Sequence, residues 1–217
     1  QVLRHEYELL HGLGDHPNIV RWENLYLSCN QVGLVLELVP GGDCQQLLQR
    51  HGCLSEPAVH AMISQLRSAL AYVHGRDVLH RDVKLENLLV NTDVWPPVLK
   101  LCDFGHASAV ADAQGEIEFY GTPGYAAPEV LSWRSSAHGV PYGAAVDMWA
   151  LGVVLYICLS GFHPFYSDGT GDDPEADPEA EMLERARTAT FSFPQTFDGE
   201  QTAWARDGGC SGGARSL

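Results

Sequence analysis

At 217 residues, 45% of them hydrophobic, the chain can bury the core of one domain or slightly more, which excludes a disordered polypeptide. Its formal charge of −15 lacks the basic excess with which nucleic-acid binders neutralise phosphates, and where it acts on partners it favours basic ones. The longest apolar run, residues 150–159, is about half of the roughly 20 residues a bilayer span requires, so it predicts a buried helix and no membrane partner.

The six cysteines, Cys29, Cys44, Cys53, Cys102, Cys158 and Cys210, stand singly, with no C-x-x-C pair and no histidine at zinc-ligand spacing. Reduced thiols in an intracellular protein are therefore expected. The chain starts at Gln1 and runs straight into an amphipathic pattern without the basic start and apolar stretch of a signal peptide, so it is expected to begin partway through a longer protein.

Residues 2–13 carry Leu3, Leu9, Leu10 and Leu13 among charged side chains, predicting a helix closed by Gly14, Asp15 and Pro17. Residues 19–27 and 32–39 have strand character, and Pro40-Gly41-Gly42 gives the second a sharp exit. A helix of about five turns opens at Ser55, with Pro57 in its first turn and Val59, Met62, Ile63, Leu66, Leu70 and Val73 on one face. From residue 78 to 103, short β-like pieces alternate with polar segments, the kind of loop region where catalytic side chains collect. A buried helix follows Asp147 as far as Leu159. Residues 168–181, rich in Asp, Glu, Pro and Gly, read as a solvated loop, and beyond Asp198 a Gly-rich end carries no packed pattern.

The chemistry is concentrated in HRDVKLEN, residues 80–87, and LCDFG, residues 101–105, which places Asp103 twenty-one positions after Asp82. Two carboxylates, the Asn87 amide and Lys84 suit metal-assisted phosphoryl transfer, which depends on alignment and charge neutralisation more than on covalent help. Asp and Asn oxygens are the hard ligands that Mg²⁺ prefers. A hydroxyl nucleophile needs a carboxylate to orient it and accept its proton, and Asp82 is placed for that role.

With these motifs the chain resembles the eukaryotic-type serine/threonine protein kinases. GTPGYAAPE at residues 121–129 is similar to that family's peptide-docking segment, and DMWALG at 147–152 to the central helix that anchors its catalytic loop. Glu6, ten residues before HPNIV, resembles the regulatory-helix glutamate that pairs with the ATP-binding lysine. Lys84 followed by Glu86, and Thr122, resemble the serine/threonine branch. ICLSGFHPF at 157–165 resembles the calmodulin-dependent-kinase group, and His106 after DFG resembles the forkhead-associated checkpoint kinases.

The resemblance implies an α+β, protein-kinase-like fold with a mainly helical C-lobe and a partial β-rich N-lobe. Residues 1–39 would be the N-lobe remnant, 40–197 the C-lobe and 198–217 an irregular tail. It implies ATP and Mg²⁺ as cofactors, Asp82 as catalytic base, Lys84 on the transferring phosphate, and Asn87 and Asp103 on the metal. His80 and Phe104 would pack as an internal spine. Glu6, Glu37, Val39, Asp43, Glu86 and Leu89 complete the nucleotide and substrate set, with residues 37–39 as the adenine-facing hinge and Leu36 as gatekeeper. Partners would be proteins with Ser/Thr acceptors, basic ones because of Asp43 and Glu86, and not nucleic acid; no oligomeric state is read from the sequence. Glu118, three residues before Gly121, would stand in for an activating phosphate opposite Arg81. Lys84 and Lys100 are the only lysines and no G-x-G-x-x-G precedes Glu6, so the chain by itself is expected to be inactive. The alternatives are a pseudokinase scaffold, or a small-molecule phosphotransferase, against which the docking segment speaks.

Overall fold

Glu6, Leu10 and Leu13 fall on one stripe of a 3.6-residue repeat, and helix α1 (Val2–Leu13) buries all three. In the computed structural model, which describes residues 2–29, 31–113, 120–132, 143–166 and 177–191, this helix leads into a strand hairpin. β1 (Trp22–Leu27) pairs antiparallel with β2 (Val32–Leu36), Trp22 opposite Leu36, with a register shift between Trp22 and Asn24. The expected strand at 19–27 starts three residues late because Ile19 and Val20 pair elsewhere. Ile19 bridges Leu101, and Val20 N–H donates to the Leu101 carbonyl at 2.9 Å. The second strand stops at Leu36, short of the expected residue 39.

Helix α2 (Cys44–His51) is capped by Asp43, whose Oδ1 accepts from the Gln46 amide at 2.7 Å, and it ends at Gly52 with φ +78°. Helix α3 (Glu56–His74) delivers the five turns expected, with Val59, Met62, Leu66, Leu70 and Val73 buried. It packs on strand β5 (Val98–Leu101) and on helix α6 (Ala145–Ser160), whose apolar sequence is largely buried, with Ala145, Met148 and Gly152 left exposed.

Between these two helices in the chain lie four short strands. β3 (Val78–Leu79) pairs with β6 (Ser108–Ala109), and β4 (Leu88–Asn91) forms a hairpin with β5 (Val98–Leu101), Leu88 opposite Leu101. Short helices α4 (Val110–Ala113) and α5 (Pro128–Ser132) follow, and α7 (Pro178–Arg187) packs against α5. Helices around small antiparallel sheets make this the α+β kinase-like architecture expected. Among the described residues, no helix is long and apolar enough to cross a membrane.

Two expectations fail. Residues 178–181 are not loop but the first turn of α7: the Asp177 carboxylate accepts from the Glu179 amide, Pro178 has a preset φ, and Glu179 and Glu181 sit at the positive end of the helix dipole. Cys53 is disulfide-bonded, whereas Cys29, Cys44, Cys102 and Cys158 are free thiols as expected. No C-x-x-C pair or other local spacing marks Cys53 in the sequence. Residues 198–217 lie outside the described residues.

The α3–α6 core fixes the loop after β3 through one side chain. Asp147, in the first turn of α6 and 1% exposed, accepts from the His80 amide at 2.9 Å, the Arg81 amide at 2.8 Å and His74 Nε2 at 2.7 Å. Burial alone would raise its pKa, but these hydrogen bonds outweigh it and hold the carboxyl below its ordinary 3.8. A depressed carboxyl pKa adds stability above the unfolded value, and that stability is lost as pH falls through the folded one. Asp147→Asn is therefore expected to destabilise the chain by about 3 kcal/mol in urea unfolding at neutral pH. The gap between parent and variant should close as pH is lowered below about 3.8.

Candidate active site

The loop that Asp147 holds is bent in an unusual way. Arg81 has φ +67°, in the left-handed region that residues with a Cβ seldom occupy, and Asp103 has φ +61°. Next to Arg81, the bend turns Asp82 inward to 2% exposure. The Asp82 Oδ1 accepts from the Thr122 hydroxyl at 2.8 Å, while Oδ2 accepts from Lys84 Nζ at 2.8 Å and Asn87 Nδ2 at 3.0 Å. Asn87 Nδ2 also donates to the Asp82 carbonyl at 2.8 Å, and Lys84 Nζ donates to Thr122 Oγ1 at 2.9 Å. Burial would raise the Asp82 pKa, yet the hydrogen bonds from Lys84 and Thr122 and the charge of Lys84 leave it lowered. Asp82 is thus a buried, ionised carboxylate already bonded to one hydroxyl.

His80 supports this arrangement from beneath. Burial lowers its pKa, and its Nε2 lies 3.0 Å from the Cys102 carbonyl, which only accepts; Nε2 therefore carries the proton and Nδ1 accepts from the Asp82 amide at 3.3 Å. Its ring meets Phe104 edge-on at 4.8 Å, and both are fully buried, the spine contact expected.

The β4–β5 register sets the metal candidates side by side. Leu88 faces Leu101, and the Cys102 amide donates to the Asn87 carbonyl at 2.9 Å, so Asn87 and Asp103 flank the open end of one hairpin. Asp103 is exposed, its Oδ1 accepting from the Gly105 amide at 3.2 Å. Glu6, 7% exposed, accepts from the Phe104 amide at 3.2 Å. Burial raises the Glu6 pKa and the nearby Asp103 charge adds to the rise. Two carboxylates crowding each other in this way mark a place that a cation would relieve, and the hard oxygens of Asn87 and Asp103 fit Mg²⁺. Among the described residues no group of three His, Cys, Asp or Glu forms a closed metal cage.

The remaining candidates divide. Asp43 and Leu89 are brought together by an isolated antiparallel bridge, although the Asp43 side chain also caps α2. Val39 is half-buried just past β2, and Glu86 is exposed on the 3-10 turn Leu85–Asn87. The Glu37 side chain turns into a separate polar cluster, where Oε1 accepts from Lys100 Nζ at 2.7 Å and the Arg21 amide at 2.8 Å, so only its backbone is placed to act as a hinge. Glu118 lies outside the described residues. Sequence reasoning missed the Thr122 hydroxyl on Asp82, His74 on Asp147, and His106, whose Nδ1 is 3.7 Å from Asp82 Oδ2. GTP was legible as a motif, but nothing in its spacing shows where the threonine hydroxyl points.

A protein kinase domain model matches residues 1–205. Human calcium/calmodulin-dependent protein kinase type IV is 39% identical over 172 residues, covering 79% of this chain and 35% of that protein. Human calcium/calmodulin-dependent protein kinase type 1B is 35% identical over 192 residues, with 88% and 51% covered. Myosin light chain kinase A of Dictyostelium discoideum is 33% identical over 205 residues, with 94% and 64% covered. The chain therefore spans between about a third and just under two thirds of these relatives' lengths. With its loop geometry and these matches, the chain belongs to the protein kinase domain family, in the group of the calcium/calmodulin-dependent kinases.

Proposed function

We propose that this chain, within its full-length protein, transfers the γ-phosphoryl group of ATP to serine or threonine hydroxyls of intracellular protein substrates. The observation that carries this reading is the buried Asp82 carboxylate, held ionised and already accepting a hydrogen bond from a threonine hydroxyl at 2.8 Å. An acceptor hydroxyl presented in the same way would be oriented toward the phosphate. Its oxygen forms the new bond to the γ-phosphorus, the bond from that phosphorus to the departing ADP oxygen breaks, and the hydroxyl proton passes to Asp82. Lys84, within reach of Asp82 and Thr122, would neutralise the moving phosphoryl oxygens. Asn87 and Asp103 would hold Mg²⁺, which when bound offsets phosphate charge. Glu6, beside Asp103, would take a cationic partner, and residues 37–39 with Asp43 and Leu89 would line the nucleotide. In this reading residues 1–39 belong to the N-lobe, 40–197 to the C-lobe and 198–217 to a tail.

Asp82→Asn in the full-length protein is expected to lower peptide phosphorylation with MgATP by about 10²-fold or more. A variant with near-parental activity would refute the assignment, and a parent that binds partners without transferring phosphate would support a scaffold instead.

Substrate charge follows from the exposed Glu86 and half-buried Asp43 at the site's edge, and from the −15 net charge. An arrayed peptide library is expected to show preference for an arginine a few residues before the acceptor, weakened by Glu86→Gln and by rising salt. Selection of acidic peptides would overturn this.

A further inference from the structure

The backbone of residues 120–122 crosses directly over that of residues 81–82. Gly121 has φ +104°, and a Cβ there would collide with the Arg81 carbonyl oxygen. On each side of this crossing one side chain grips the loop below. Thr122 places its hydroxyl on Asp82 at 2.8 Å. Tyr120 places its ring on Arg81, whose guanidinium carbon lies 4.5 Å from the ring centroid. The guanidinium is itself fixed, since Nε donates to the His106 carbonyl at 2.6 Å and the Arg81 amide is held by Asp147 at 2.8 Å. The ring therefore packs against a cation fixed independently of it.

We propose that Tyr120 is a positioning residue, its ring stacked on the Arg81 guanidinium so that the Gly121–Thr122 backbone stays over the loop and the Thr122 hydroxyl stays on Asp82. This rests on the reading of Asp82 as the carboxylate that orients the acceptor hydroxyl. The stack is an attraction between a cation and the face of an aromatic ring, so it requires a ring and a positive charge and does not require the phenol hydroxyl. Thr122 and Lys84 both bond Asp82 and each other, so a Thr122 that drifts disturbs all three groups at the reacting end of the site. The nucleotide candidates at Glu37, Val39 and Leu89 belong to other segments and are untouched. Loss of the ring should therefore appear in kcat and leave the KM for ATP unchanged.

The test uses the full-length protein with Tyr120 changed to Phe, Trp and Leu, alone and in an Arg81→Met background, with peptide kinetics and amide hydrogen exchange over residues 122–126. A stack of this kind is worth roughly a tenfold change in an equilibrium. Tyr120→Leu is expected to lower kcat by about tenfold at constant KM for ATP and to speed exchange of the Tyr125 amide, which in the parent donates to the Thr122 carbonyl at 2.9 Å. Tyr120→Phe and Tyr120→Trp should retain both parental properties. In the Arg81→Met background, Tyr120→Leu should add less than about a twofold loss, because the cation on which the ring packs is already gone. Phe and Leu falling equally, or losses at 81 and 120 that multiply, would overturn the proposal. Should the parent itself transfer no phosphate, the reading of Asp82 fails, while exchange still decides whether the ring holds the crossing.

Discussion

Everything at the site depends on the capture of two backbone amides by a carboxylate that solvent does not reach. Asp147 projects from the first turn of α6, a helix locked in the core by Val146, Ala150, Val153 and Val154, and it fixes the amides of His80 and Arg81 as well as the ring of His74. The positive φ of Arg81 is unfavourable on its own, and those bonds sustain it. With Arg81 so bent, Asp82 turns inward and meets Lys84, Asn87 and Thr122 at hydrogen-bond distance. A flexible loop could not keep a carboxylate with three partners, because ordering it would cost about 1 to 2 kcal/mol of backbone entropy per residue.

A second level of order comes from strand register. The hairpin β4–β5 sets Asn87 and Asp103 at one end, and the parallel bridge from Ile19 to Leu101 joins that hairpin to the segment below α1. Glu6 reaches the Phe104 amide from α1. The helix, the hairpin and the loop after β3 are thus connected through hydrogen bonds to backbone groups, which depend little on which apolar side chains fill the core around them.

Much of this was legible in the sequence, for reasons that differ by element. Helices α1, α3 and α6 announce themselves through apolar spacing or a long apolar run, and HRDVKLEN and DFG identify the family at once. Helix α7 was misread because its first turn is acidic and proline-containing, a composition shared by solvated loops; only the capping position of Asp177 separates the two. The Glu37 side chain, next to the expected hinge, is committed to Lys100, a contact across 63 residues that no local pattern encodes. The left-handed backbones of Arg81 and Asp103 were equally hidden, since Arg seldom adopts that conformation and Asp, although enriched there, does so at only a small fraction of its positions. Thr122 and Tyr120 meet the Arg81–Asp82 loop only because Gly121 permits the crossing between them.

The ion pairs of Lys84 and Lys100 have a practical corollary. These are the only lysines in the sequence, and each amine is held by a carboxylate, Lys84 by Asp82 at 2.8 Å and Lys100 by Glu37 at 2.7 Å, with about a fifth of each side chain accessible. A protonated, hydrogen-bonded amine is a poor nucleophile. Acylating dyes and cross-linkers, which on most proteins scatter over an indifferent surface, would find just two side-chain amines within these 217 residues. One bonds the Asp82 carboxylate and the other the Glu37 carboxylate, so the extent of their modification becomes a direct gauge of whether those two contacts are intact.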